Sequence, residues 1–397
     1  MILDKLFQLM AEKQASDIFI SAGVPIHIKI QGNSVPVNQQ TMDPAMIEKI
    51  AFEMMSPDQQ RTFEATMEMN LSFGVPNVGN FRINMFRQRA SISIVVRYIL
   101  GNIPPLDSLS LPSTLAELIM EKRGLILIVG STGSGKSTTI ASMLDHRNAN
   151  RSGHILTIED PIEFLFRHKK SIVNQRELGM DTLGWEPALK NAMRQAPDCI
   201  LIGEIRDKET MQAAIAYAQT GHLCLATLHA NNSYHALNRV INFFPLDSRT
   251  SLYLDLSASL KAIVSQRLVK KPDGNRTPAA EVLLNTRHVQ ELIERGEVLA
   301  VKEAMEQSLA PGSQTFEQDL FRLYREGIIT LDEALANADS PTNLSWLINN
   351  SEISSTPSKE HQGSETPLDF AETSDGGTSF KEFTLSLNDA DEKPDAQ

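Results

Sequence analysis

With 397 residues, 41% of them hydrophobic, the chain is too long for one ordinary domain and rich enough in apolar side chains for packed cores. Its formal net charge is −12, but residues 351–397 hold 11 Asp and Glu against 3 Lys, so −8 belongs to that stretch and the preceding body is only mildly acidic. Such a body, with no extended basic stripe and no interleaved aromatics, argues against a motor that acts on nucleic acid. No apolar run reaches the roughly 18 residues of a membrane span, and Met1-Ile-Leu-Asp-Lys-Leu-Phe lacks a signal peptide's basic head, so a cytoplasmic chain with no membrane span is expected. Cys199 and Cys224 stand in apolar, strand-like runs and read as reduced core residues.

Residues 1–100 read as a small α/β domain. Alternation at Ile18 and Ile20, at Ile26, Ile28 and Ile30, at Phe81, Ile83 and Met85, and at Ile92, Ile94 and Val96 predicts half-buried strands, with helix over 43–69. The paired prolines of Gly101-Asn-Ile-Pro-Pro-Leu continue neither kind of element, so residues 101–113 are expected to be a linker.

From Thr114 the pattern becomes helix, strand, loop, helix, with Thr114 and Glu117 spaced as a capping box. Continuous apolar runs at 125–129, 155–158, 199–202 and 223–228, separated by helical stretches, predict an α/β core over 114–270 with a parallel sheet covered on both faces. Beyond about Lys270 the reading is helical to about residue 350, with capping boxes at Thr315/Gln318 and Thr330/Glu333 and an apolar face of Phe316, Leu320 and Leu323. Residues 351–397, rich in Ser, Thr, Glu, Asp and Gly, are expected to be a disordered acidic tail in which Phe370, Phe380 and Phe383 are candidate docking anchors.

Gly130-Ser131-Thr132-Gly133-Ser134-Gly135-Lys136-Ser137, with Thr138 following, matches G-x-x-x-x-G-K-[ST] between a buried strand and a helix. Glycines let backbone N–H groups wrap phosphates, Lys136 reaches the β- and γ-phosphates of a nucleotide, and Ser137 offers its hydroxyl to Mg2+. Hydrolysis further needs a carboxylate near the metal and a group to orient or deprotonate water. Glu204 follows the strand at 199–202, where this architecture places it beside the phosphate loop. Ile158-Glu159-Asp160-Pro-Ile-Glu163 sets three carboxylates at another strand end, an arrangement that is costly without a cation.

His222 and His229 bracket the strand at 223–228 and would project from its opposite ends, which suits capping or phosphate sensing better than a shared metal. Arg82, Arg87, Arg89 and Arg97 cluster in the last strands of the N-terminal domain. Such a run is ordinarily a solvated basic face; its functional reading is that a neighbouring subunit's arginines complete the nucleotide site.

These motifs together resemble the four nucleotide-site boxes of the type II/IV secretion ATPases: residues 130–137, Thr157-Ile-Glu-Asp-Pro-Ile-Glu163, Arg194-Gln-Ala-Pro-Asp198 through Gly203-Glu-Ile-Arg-Asp207, and Thr220-Gly-His through Thr227-Leu-His-Ala-Asn. Ala15-Ser-Asp-Ile-Phe-Ile-Ser-Ala-Gly-Val-Pro resembles the opening of the pilus-retraction branch, the PilT/PilU family, and the likeness runs over residues 1–345. The resemblance implies a RecA-like P-loop core behind a PAS-like N-terminal domain, a C-terminal helical appendage, and a homo-hexamer with ATP at the subunit seams. It implies retraction of type IV pili in twitching motility, with the chain coupled to an inner-membrane platform protein at the pilus base. Carried over by motif, Lys136 and Ser137 bind phosphate and Mg2+, Glu204 supports metal and water, Glu163 is the general base with Glu159 in reserve, His222 and His229 form the histidine box, and Arg82 and Arg97 are offered across subunits.

Where principal retraction motors carry Ala-Ile-Arg-Asn-Leu-Ile-Arg-Glu, this chain reads Thr286-Arg-His-Val-Gln-Glu-Leu-Ile-Glu-Arg295, and with the acidic tail this resembles the accessory, PilU-like branch that works with the principal motor. Two cysteines cannot build the four-cysteine zinc insert of the assembly ATPases. A reading from another class is a non-hydrolysing adaptor that binds ATP only to assemble with the true motor; the intact carboxylate boxes speak against it.

Overall fold

A computed structural model of the chain describes residues 2–30, 32–76, 78–99, 101–308 and 310–353. The expected acidic tail and its three phenylalanines lie outside the described residues. The N-terminal part runs α1 (Ile2–Lys13), β1 (Asp17–Ile20), β2 (Pro25–Ile30), β3 (Asn33–Thr41), α2 (Pro44–Met54), α3 (Pro57–Thr66), β4 (Glu68–Val75), β5 (Gly79–Gln88) and β6 (Ser91–Ile99). Its strands form an antiparallel sheet in the order β3-β2-β1-β6-β5-β4. The alternating residues read from sequence all point into one core, where Phe7 of α1 stacks on Phe81 with ring centroids 4.3 Å apart.

Two departures in this part have local causes. The helix expected over 43–69 is broken at Ser56, which caps α3 reciprocally with Gln59 ahead of Pro57, and the chain turns through Met67 at φ +63° into β4. β3 is exposed along nearly its whole length, so its sequence carries no apolar alternation.

The expected linker is ordered where it meets the core. Leu106 is buried, and Ser142 Oγ donates to the Pro104 carbonyl at 2.7 Å. Then follow α4 (Thr114–Ile119), β7 (Gly124–Val129), α5 (Lys136–Asn150), β8 (Gly153–Glu159), β9 (Ser171–Glu177), α6 (Trp185–Ala192), β10 (Cys199–Ile202), α7 (Lys208–Gln219), β11 (Leu223–Leu228), α8 (Ser233–Asn242), α9 (Arg249–Ser259), β12 (Leu260–Lys270) and β13 (Arg276–Leu284). The sheet order is β13-β12-β7-β11-β10-β8-β9, parallel except for β13. Its central strands are buried on both sides: Leu125, Leu127 and Val129 enter one core while Ile126 and Ile128 enter the other. Cys199 and Cys224 are buried free thiols on neighbouring strands, burial pushing the Cys199 thiol up to about 11.

Three expectations for this region are corrected. Ser113, not Thr114, stands at the N-cap of α4 with αR backbone and no side-chain cap bond, and the Thr114 side chain fills the space a Cβ on Gly312 would need. A core boundary at Lys270 would cut a hairpin, since β13 pairs with β12 over nine residues and completes the sheet. At Thr330 the cap hydroxyl accepts from the Glu333 N–H, but the Glu333 carboxylate turns to the Lys270 N–H at 2.8 Å rather than back to the cap.

The chain ends its described part with α10 (Arg287–Glu294), α11 (Ala300–Glu306), α12 (Phe316–Arg325), α13 (Leu331–Asn337) and α14 (Pro341–Ile353). The Thr315/Gln318 capping box is present, and Phe316, Leu320 and Leu323 are buried against Val269 and Ala279 of the hairpin. Buried Asp319 accepts from the Ala280 N–H at 2.8 Å, and Arg267 lies 3.9 Å over the Phe316 ring. Among the described residues no helix is long and apolar enough to cross a membrane.

Candidate active site

Every parallel strand of the core presents its carboxyl end to one edge of the sheet, and β7 sits where the order reverses between β11 and β12. A crevice at such a point is where open α/β sheets bind ligands. The chain leaves β7 through Gly130, Gly133 and Gly135, at φ +154°, +78° and +91°, conformations that only glycine adopts without strain. α5 then begins at Lys136, so the unpaired N–H groups of its first turn adjoin the loop, the ordinary setting for a bound phosphate.

Lys136 Nζ donates to the carbonyls of Gly130 and Ser131, each at 2.9 Å. Burial pulls its pKa down, while the charges of Glu204 and Glu163 push the other way. Ser137 Oγ donates to Glu163 Oε1 at 2.8 Å, so the hydroxyl and carboxylate that sequence placed in separate boxes touch.

Glu204, two residues past the end of β10, accepts from Arg206 Nε at 2.6 Å and lies 3.1 Å from His229 Nε2. Arg206 reaches on to Asp160 at 3.4 Å. The ends of β8 and β10 press together so closely that a Cβ on Gly203 would lie 3.1 Å from the Glu159 Cα, and Thr227 Oγ1 donates to the Gly203 carbonyl. Lys136, Ser137, Glu159, Asp160, Glu163, Glu204 and His229 thus line one cavity of about 590 Å³, within the range of small-molecule pockets.

Glu159 differs from the other two glutamates. Its carboxyl is drawn into the sheet edge, where Thr157 Oγ1 donates at 2.6 Å and Gln175 Nε2 at 3.2 Å, and burial outweighs both bonds to push its pKa up to about 7. The folded pKa exceeds the ordinary 4.5, so between those values the folded state holds more protons than the unfolded one and loses stability as pH rises. Nucleotide-free protein with Glu159→Gln should therefore gain on the parent by up to about 3 kcal/mol from pH 5 to pH 8 in chemical denaturation. Parallel pH profiles for the two proteins would contradict this.

His222 precedes β11 at the amino end, beside the Tyr217 carbonyl at 3.2 Å, and is a strand's length from the cavity. Arg82 and Arg97 also lie off the cavity, on β5 and β6, directly opposite each other in register. Like charges so placed cost about 0.2–1 kcal/mol, and buried Asp17, 2.8 Å from Arg97 Nε, offsets part of it. Asp198 marks the amino edge of the sheet, accepting from the His154 N–H at 2.7 Å.

Sequence reasoning passed over Asp160 and Arg206 as site residues, although both lie inside the motifs it quoted. Gln175 carried no signal, since it comes from an edge strand without apolar continuity.

Oxygen donors dominate the cavity, which suits a hard divalent cation. Among the described residues no three His, Cys, Asp or Glu converge into an all-protein metal cage. The Ser137 hydroxyl and the carboxylates beside it fit Mg2+, which is usually held by one or two side chains and completes its shell with phosphate oxygens and water.

Phosphate loop, lysine, hydroxyl and paired carboxylates at the carboxyl edge of a parallel sheet define a P-loop ATPase. The model of the type II/IV secretion system protein family matches residues 1–336, and the chain belongs to that family, in its PilT/PilU group of pilus ATPases. It is 48% identical over 349 residues to the type IV pilus ATPase PilU of Pseudomonas aeruginosa, covering 88% of this chain and 91% of that protein. With the type IV pilus retraction ATPase PilT of the same organism it shares 37% identity over 343 residues, 86% of this chain and 100% of the relative. The crystal structure of the pilus retraction motor PilT with bound ADP superposes with a TM-score of 0.80 at 40% identity, covering 86% of this chain and 98% of that one.

Proposed function

We propose that this chain is a hexameric motor that hydrolyses ATP to drive retraction of type IV pili in twitching motility, as the accessory partner of a principal retraction ATPase. The observation that carries the chemistry is the Ser137–Glu163 contact of 2.8 Å in the same cavity as Glu204 and Lys136. The similarity to PilU and PilT carries the assignment to pili, and both relatives are named as ATPases, which does not favour the adaptor reading.

In this reading Gly130, Ser131, Thr132, Gly133, Ser134 and Gly135 wrap the phosphates with Lys136, and Thr138 follows on α5. Ser137 and Glu204 would hold Mg2+, which when bound would neutralise charge developing on the transferred phosphate. Glu163, which accepts from the Ser137 hydroxyl at 2.8 Å, is placed to take the proton of the attacking water. Its distance from the loop suits that role better than Glu159, which the sheet edge retains. His229, held against Glu204, senses the phosphate end of the site, while His222 at the far edge of the strand is left to a neighbouring surface.

Arg82 and Arg97 do not line their own cavity, and their paired charge suits an anion offered by the next subunit across the seam. The chain works at the cytoplasmic face of the inner membrane, coupled to the pilus platform protein, and binds no nucleic acid.

Steady-state phosphate release by the assembled chain, alone and mixed with the principal retraction ATPase, tests this. Magnesium-dependent turnover by the chain alone, raised further in the mixture, is expected. Silence of the chain alone, with no Lys136-dependent rise above the partner's own rate in the mixture, would reinstate the adaptor.

A further inference from the structure

Gln266 is a polar side chain only 3% exposed in an otherwise buried stretch of β12, and no step above uses it. Parallel pairing sets Ser265 beside Val129, the last residue of β7, so Gln266 lies where the chain leaves the sheet to form the phosphate loop. Its side chain holds that loop from behind at two points. Nε2 donates to the Ser134 carbonyl at 2.9 Å, and Oε1 accepts from Thr139 Oγ1 of α5 at 2.7 Å.

Its backbone closes the other end of the loop, since a Cβ on Gly130 would strike the Gln266 carbonyl, and one on Gly135 would lie 2.8 Å from Nε2. In a planar trans peptide the C=O and the following N–H point in opposite directions. A Ser134 carbonyl drawn back onto Gln266 therefore turns the Gly135 N–H forward, on the side where Gly135 lines the nucleotide cavity.

We infer that Gln266 is a positioning residue that aims the Gly135 N–H at the bound phosphates and locks the loop to α5 through Thr139, without touching nucleotide itself. This rests on the loop being the nucleotide site and not on the pilus assignment. Losing the link costs ground-state and transition-state binding alike, so nucleotide affinity changes and turnover at saturation does not.

Gln266→Met keeps the length of the side chain and removes both bonds, while Gln266→Glu keeps the acceptor for Thr139 and sets a carboxylate against the Ser134 carbonyl. Equilibrium binding of ADP to the full chain should weaken about tenfold in Gln266→Met and further in Gln266→Glu, with KM for ATP rising in step and kcat changing less than about threefold. Thr139→Val cuts the link from its other partner and should weaken ADP by about threefold, with no added loss when combined with Gln266→Met. Lys136→Ala alongside reports on the site itself: undiminished ADP binding there would overturn the nucleotide-site reading. Loss of ADP in Lys136→Ala, with Gln266→Met and Thr139→Val within about twofold of the parent, would overturn the role given to Gln266 and leave it as packing. Should Gln266→Met fail to fold, Thr139→Val decides alone.

Discussion

Lys136→Ala is expected to lower kcat/KM for ATP hydrolysis by at least about a hundredfold while leaving the fold intact. Lys136 is a buried residue that lines the cavity, and its ammonium is held by the loop carbonyls, where the β- and γ-phosphates must be met. Among the described residues Arg206, the other cation bonded to the carboxylates there, is committed to Glu204 and Asp160. Alanine leaves the carboxylates of Glu163 and Glu204 facing the nucleotide's charge uncompensated. Stability should move little, because the lysine's own burial is unfavourable to its charge. Phosphate release with thermal unfolding run beside it separates the two effects, and turnover within about tenfold of the parent would remove Lys136 from the mechanism.

Glu204→Ala should cut kcat by about a hundredfold or more with ADP still bound. Its two oxygens hold Arg206 at 2.6 Å and His229 at 3.1 Å, so one substitution removes the carboxylate proposed to face the metal and releases two neighbours from the strand ends of β10 and β11. Because the loop and Lys136 are untouched, nucleotide affinity reports that the cavity persists. An unchanged ATPase rate in this variant would show that water activation runs through Glu163 alone and that the proposed division of labour is wrong.

Much of the site was legible in sequence because its parts are local. A phosphate loop is eight consecutive residues between a buried run and a helix, and Glu163, Glu204 and His229 each follow an apolar run of strand length, so their shared edge follows from a parallel sheet. What escaped depends on partners distant in the chain. Leu260–Lys270 mixes Lys261, Ser265 and Gln266 into an apolar run because it serves two neighbours, the phosphate loop on one side and β13 on the other, and neither partner is visible from its own sequence. β13 follows one turn later, and Pro278, Ala279 and Ala280 give it no strand alternation to set it apart from the helical stretch expected there. The separation of His222 and His229 is legible in sequence, since a fully extended strand between them necessarily holds them apart.

The helix α10, within the Thr286–Arg295 stretch, has two unlike sides. Val289, Leu292 and Ile293 of α10 enter the same core as β7 and β10, while Arg287, His288, Gln290, Glu294 and Arg295 are exposed. Its inner side is tied to the ATPase, and its outer side is unconstrained by it. Two motors of one lineage can thereby share the same chemistry and diverge in what they grip, with the rewriting confined to a single helical surface.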